Sequence, residues 1–125
     1  MMTKFEDVTL AWRGVDYTLK AKGIMPVVAQ VEDTLRGEGG KQGFQVLLQP
    51  GGPSYPRLSM AFGVALRAAG CAVTDEEIYL SITAGFASGE VDAAQTVQSA
   101  VFALLSIMSP PMALALQGDD EPGEA

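Results

Sequence analysis

LSMAFGVALRAAGCAVTDEEIY, Leu58 to Tyr79, carries two helix signals separated by a glycine. Leu58, Ala61, Phe62, Ala65, Leu66 and Ala69 recur at steps of three and four, which places them on one face of a helix. Ala61, Ala65 and Ala69 are small enough for another helix to approach closely along that line. Gly70 is a stop signal. Thr74-Asp75-Glu76-Glu77 then forms a capping box, in which the threonine accepts from a backbone N–H three residues on and Glu77 reaches back. It starts another helix, with Ile78, Ile82 and Phe86 at steps of four. One helix, a stop and a capped restart in so short a span predict helix packed on helix.

Upstream, VTLAWRGVDYTL (Val8 to Leu19) predicts a β-hairpin around a polar turn, Arg13-Gly14-Val15-Asp16. Val8, Leu10, Trp12, Tyr17 and Leu19 alternate with Thr9, Ala11 and Thr18, so one face should be buried. Ile24, Val27, Val28, Val31 and Leu35 form a helical stripe, with Pro26 near the first turn and Gly37 as its stop. GEGGKQG predicts a flexible loop. FQVLLQ, residues 44–49, is too short to assign to strand or helix by periodicity, and PGGPSYP closes the region as a second loop.

Downstream, a helix is expected from near Glu90, where Glu90 and Asp92 suit an N-terminus. Ala94, Val97, Val101, Leu104, Leu105 and Met108 form its stripe, and Pro110-Pro111 end it. The predicted architecture is mainly α: about four helices with an N-terminal β-hairpin (8–19) in a single domain over residues 1–116, and a disordered acidic tail over 117–125.

Charge is divided unevenly along the chain. The first 67 of the 125 residues hold all eight cations and six carboxylates, net +2; the rest hold nine carboxylates and no Lys or Arg, net −9. An acidic half of this kind repels phosphate backbones, which argues against a nucleic-acid partner. The opening MMTKFEDVTL lacks the apolar core of a secretory signal, so a cytoplasmic location is expected. Ser99 to Leu116, broken by serines and two prolines, falls short of the roughly 18–20 apolar residues of a membrane span.

Catalytic signatures are missing. With no histidine and a single cysteine, Cys71, the chain has no Ser-His-Asp or Cys-His arrangement, no His-based zinc site and no CxxC pair. Cys71 reads as a small buried hydrophobe. Asp75, Glu76 and Glu77 are explained by capping and the helix dipole rather than by acid–base work. Asp119, Asp120, Glu121 and Glu124 lack EF-hand spacing and read as solvating charges. Gly37-Glu38-Gly39-Gly40-Lys41 departs from a phosphate loop, because Gln42 follows the lysine and a helix precedes the run. Trp12 and Tyr17 could stack on a ligand, but as alternate residues of a half-buried hairpin they are more simply core. No catalytic, cofactor or metal residue is assigned, and a non-enzymatic binding protein is expected. A carboxylate-dependent enzyme is the weakest alternative.

One feature is left unexplained by core building. SAVFALLSIMSPPMALAL runs from Ser99 to Leu116, just ahead of the charged end of the chain. The four stripes end by Met108, so Met108, Met112, Leu114 and Leu116 either pack on the domain or form a partner-binding surface. On the second reading, the segment from Met112 onward is dispensable for stability.

The hairpin VTLAWRGVDYTL, the helix IMPVVAQVEDTL, the pair LSMAFGVALRAAG and AVTDEEIY, and the final AVFALLSIMSPP together resemble the tail assembly chaperones of long-tailed bacteriophages and prophages, over residues 8–111. Trp12, Tyr17, Gly70, Val73, Thr74, Asp75, Glu76, Glu77, Tyr79 and Pro110-Pro111 carry most of the likeness. It implies a transient role in the host cytoplasm: binding the tape measure protein, keeping it soluble, recruiting tail tube protein, and leaving before the virion is complete. In many members a frameshift adds a longer second form. The alternative is a small cytoplasmic interaction or regulatory module unrelated to phage; homo-oligomerisation is left open by both.

Overall fold

Arg13 and Gly14, both at positive φ (51° and 80°), form a two-residue turn between β1 (Val8–Trp12) and β2 (Val15–Leu19). This left-handed pair matches the twist of the strands it joins. The turn is thus shorter than expected, because Val15 already pairs with Trp12. Pairing Val8 with Leu19 and Leu10 with Tyr17 sets the apolar residues on one face. Leu10 and Leu19 are buried, and Val8, Trp12 and Tyr17 are partly buried against the same core.

The computed structural model describes residues 4–36, 40–89 and 93–118. After the hairpin come α1 (Met25–Leu35), α2 (Gly43–Leu48), α3 (Tyr55–Ala68), α4 (Asp75–Ala87), α5 (Ala93–Met108) and α6 (Pro110–Gly118). The mainly α architecture with an N-terminal hairpin is as the sequence predicts, and α2 and α6 join the four expected helices. The predicted start near Glu90 and the acidic residues Asp119, Asp120, Glu121 and Glu124 lie outside the described residues, as does part of the Gly-rich loop. Helix α6 continues to Gly118, into the stretch assigned to the tail.

FQVLLQ is helical for a local reason. Gln42 and Gln45 form a reciprocal capping box, and the Glu32 carboxylate of α1 accepts from the Gly43 N–H at 2.9 and 3.0 Å. The first-turn donors of a short helix are therefore satisfied. Helix α3 starts at Ser54, whose hydroxyl accepts from the Arg57 N–H. It ends in a Schellman motif: Gly70 at φ 103° lets its own N–H reach the Arg67 carbonyl while the Cys71 N–H reaches that of Leu66. Arg67 then spans to α4, donating to the Val73 carbonyl (3.0 Å) and pairing with Asp75 (2.9 Å). Arg57 ties the same helix to α1 by donating to the Thr34 carbonyl.

The capping box at the start of α4 is formed as predicted. Thr74 Oγ1 accepts from the Glu77 N–H (3.1 Å), and Glu77 Oε1 accepts from the Thr74 N–H (2.8 Å). Thr74→Ala is expected to destabilise the fold by about 1 kcal/mol, the usual loss for an N-cap, as read by chemical denaturation. The Thr74 backbone N–H, then the Thr74 hydroxyl, hold the Glu77 carboxyl below its ordinary value of 4.5, with a smaller contribution from Arg13. A depressed carboxyl stabilises the fold above its unfolded value, and that contribution disappears as pH falls through the folded one. Glu77→Gln is therefore expected to narrow the stability gap between neutral pH and pH below 4.5. An unchanged acid limb in pH-dependent melts would show that Glu77 contributes nothing there.

Helix α5 is the hub, packing against β1, α1, α2, α3, α4 and α6. Its buried face is Ala100, Leu104, Leu105 and Ile107, rotated from the predicted stripe: Ile107 is inside, while Val97, Val101 and Met108 are only partly buried. Phe86 was expected to continue the Ile78–Ile82 stripe of α4. Instead it is exposed and stacks on Tyr55, with ring centroids 5.5 Å apart.

Pro110-Pro111 do end α5, and they also begin α6. Their missing N–H groups fall in a first turn, where none is needed, and the Ser109 carbonyl accepts from Met112 and Ala113. Ala113 is buried and Met112 packs against the core, so the segment beyond Met108 joins the domain rather than standing apart from it. Deleting Met112–Ala125 is expected to destabilise the protein.

Candidate partner-binding groove

Ten large hydrophobic side chains among the described residues are exposed, and four of them meet in one place. Leu48, Tyr55, Phe102 and Leu116, exposed by 43, 38, 36 and 44 %, line an open groove of about 490 Å³. Their convergence distinguishes this surface from the scattered remainder, since single exposed hydrophobics are ordinary and a contiguous set is not.

Each wall has a local origin. The capping that makes residues 43–48 helical turns Leu47 inward and leaves Leu48 on the rim. The Gly51-Gly52 turn, both at positive φ, brings the chain round so that Tyr55 faces α5. Along α5, the partly buried Val97 and Val101 lie beside the core-facing Ala100-Leu104-Ile107 stripe and form the floor, backed by the buried Leu105. Leu116 of α6 closes one side. Phe86, stacked on Tyr55, extends the apolar surface toward α4. No lining residue is charged: the polar side chains are Gln49, Gln98 and the Tyr55 phenol.

Of the four residues assigned from sequence, only Leu116 lines this groove. Met108 is partly buried, and its Cε lies against Gly43 at the start of α2, where a Cβ on that glycine would come within 2.7 Å. Met112 is likewise half-buried against the core, and Leu114 is partly exposed on α6. The residues that sequence reasoning missed are Leu48, Tyr55, Phe86 and Phe102. Of the stripe residues assigned to the core, Leu105 is buried there, and Val97 and Val101 are partly buried against it while also lining the groove. The available signal was that α5 carries two adjacent apolar stripes, more than one core face requires.

The other sequence candidates fall into structural roles. Asp75 pairs with Arg67, and Glu77 serves the capping box. Trp12 is partly buried, with the Arg13 guanidinium 5.2 Å from its ring centroid. Cys71 is buried, and its hydrogen bond to the Tyr17 hydroxyl, with some desolvation, raises the tyrosine above its ordinary 10.0. A more polar cleft lies between the hairpin and α5, lined by Thr9, Trp12, Arg13, Ser81 and Gln95 among others. Among the described residues no cluster of three or more His, Cys, Asp or Glu is placed to hold a metal ion, and no helix is long and apolar enough to cross a membrane.

No protein-family model, curated protein or solved structure matches the chain.

Proposed function

We propose that this chain is a non-enzymatic tail assembly chaperone that holds apolar segments of the tape measure protein and keeps them soluble during tail morphogenesis, in the host cytoplasm. The observation that carries the reading is the uncharged groove bounded by Leu48, Tyr55, Phe102 and Leu116. A groove of aromatic and aliphatic side chains with few polar groups takes an apolar helix by burying its hydrophobic stripe. The net charge of −7 supports the role, since like-charged complexes resist association. The resemblance of residues 8–111 to the family supports the choice of partner.

Co-expression with the tape measure protein of the same genome is the test. More of that protein is expected in the soluble fraction with the chain than without it, and the two should co-purify. If the tape measure protein is equally insoluble in both, the reading fails. The groove would then belong to an interaction module unrelated to phage.

A further inference from the structure

A two-stranded sheet has two outer edges, and here the edge of β1 opens onto a cleft. The two-residue turn makes Trp12 and Val15 a hydrogen-bonded pair, and alternation along the register extends this to Leu10 with Tyr17 and Val8 with Leu19. The N–H and C=O groups of Thr9 and Ala11 therefore point away from β2, and among the described residues no other backbone group pairs with them. An unpaired edge of this kind is a template for another strand. The outer edge of β2 differs: its outward residues are Asp16 and Thr18, with Lys20 just beyond, and charge blunts an edge. Between Asp7 and Arg13, β1 carries no charge.

Across from this edge stands α5. Thr9, Ala11 and Trp12 form one wall of an open cleft of about 670 Å³, and Gln95, Ser99 and Ala103, one helical turn apart, form the other. Thr9, Gln95, Ser99 and Ala103 also line its continuation toward Val8 and Ser106. The five residues of β1 span roughly 17 Å and the stretch of α5 from Gln95 to Ser106 about 16 Å, so the two walls match in length. Ser99 and Ala103 are short, which leaves room for a backbone beside β1. Arg13 is the one charged residue lining the cleft; it lies at the turn, close enough to Glu77 to help lower that carboxyl, so the cleft offers little net charge. A second copy is the poorer occupant, because pairing two β1 edges about a two-fold axis sets both α5 helices on the same side of the joint sheet, each against the other's cleft wall.

We propose that this cleft is a strand-addition site, in which an uncharged extended segment of another polypeptide pairs antiparallel with β1 at Thr9 and Ala11 and turns alternate apolar side chains toward the Leu10 side of the sheet. Residues that pair share a face, so the segment's residues opposite Thr9 and Ala11 make the hydrogen bonds and face outward, while those opposite Val8, Leu10 and Trp12 supply the apolar face. Main-chain bonds give the affinity and alternate side chains the selectivity. The cleft of 670 Å³ shares no lining residue with the groove, so this site is additional to the one proposed above.

The test uses the full chain and a capped heptapeptide with valine at odd positions and threonine at even ones, beside versions N-methylated at two threonines or at two valines and a Leu/Ala-striped helical peptide. Binding is followed by fluorescence anisotropy. The parent and valine-methylated peptides are expected to bind alike, whereas methylating the threonines, whose N–H groups face β1, should weaken binding at least ~10-fold through two lost main-chain hydrogen bonds. Ser99→Trp, at an exposed position of the helix wall, should weaken the parent peptide as much while thermal melts stay as in the parent chain. In the free chain the amides of Thr9 and Ala11 should exchange with solvent faster than those of Leu10 and Trp12, and adding the parent peptide should slow them.

Equal binding of the two methylated peptides overturns the inference, and so does tighter binding of the helical peptide that Ser99→Trp weakens. Slow exchange at Thr9 and Ala11 without peptide overturns it as well, because the edge is then already covered. A peptide-free dimer that Ser99→Trp dissociates assigns the edge to a second copy and has the same effect. Peptide methylation and amide exchange both read the unaltered chain, so they decide even if Ser99→Trp unfolds it. Failure here is separable from failure of the proposed function: a chain that solubilises the tape measure protein without taking up the strand peptide leaves the chaperone reading standing, and a chain that takes it up without solubilising that protein leaves this one standing.

Discussion

Leu104→Ala is expected to lower the stability of the protein by about 3 kcal/mol, within the roughly 2–5 kcal/mol range of Leu-to-Ala changes in cores. Leu104 is fully buried on the core-facing stripe of α5, the helix that touches almost every other element. Truncation removes the transfer free energy of the side chain and leaves a cavity, and helices fixed by so many neighbours cannot collapse into it easily. Marginal domains hold only about 5–15 kcal/mol in total, so this one change removes a large share. Urea unfolding of the two proteins measures it. A loss under about 1 kcal/mol would mean that α5 repacks and is not the rigid centre described above.

Leu48→Glu is expected to act on the other side of the ledger, leaving folding nearly unchanged and weakening partner capture by at least ~30-fold, the size of a hot-spot loss near 2 kcal/mol. Leu48 is 43 % exposed on the rim of α2, so glutamate there remains hydrated in the free protein. In the complex it would have to give up water among Val97, Val101 and the partner's apolar stripe, with no charged residue lining the groove to pair with it. Pull-down of a co-expressed tape measure protein, set beside a thermal melt, separates the two effects. Undiminished capture would place the holding surface elsewhere on the molecule.

These two substitutions sit on opposite sides of what the sequence makes visible. The stripe of α3 and the capping box of α4 are periodic and local, and periodicity with capping chemistry is what a single sequence records well. Gly70 is legible for the same reason, because only its backbone freedom allows the Schellman turn. The helicity of residues 43–48 is only partly legible: the Gln42–Gln45 capping box is local, but Glu32 reaches from α1 to cap Gly43. Pro110-Pro111 carry two meanings, stop and start, and the sequence supports both; burial of Ala113 chooses between them. The groove was hidden because an apolar stripe looks the same whether it faces a core or an unfilled surface. Val97 and Val101 read as apolar, but only the packing of α2 and α6 around them reveals that they are open on one side. Phe86 shows the converse: a large aromatic at helical spacing that the fold leaves outside.

The position of the hub helix along the chain has a consequence for biosynthesis. Leu35 closes α1 and Ala93 opens α5, so a ribosome delivers the hairpin, α1, α3 and α4 well before the element on which they converge. Those early elements can meet one another, but the apolar surfaces meant for Ala100, Leu104 and Ile107 stay wet until α5 emerges. Long-range pairing of this kind slows folding and exposes sticky intermediates. An order of emergence in which the hub comes after the elements it covers is the kind that leaves a nascent polypeptide with exposed apolar surface, the same condition from which, on the reading proposed above, the finished molecule shields another.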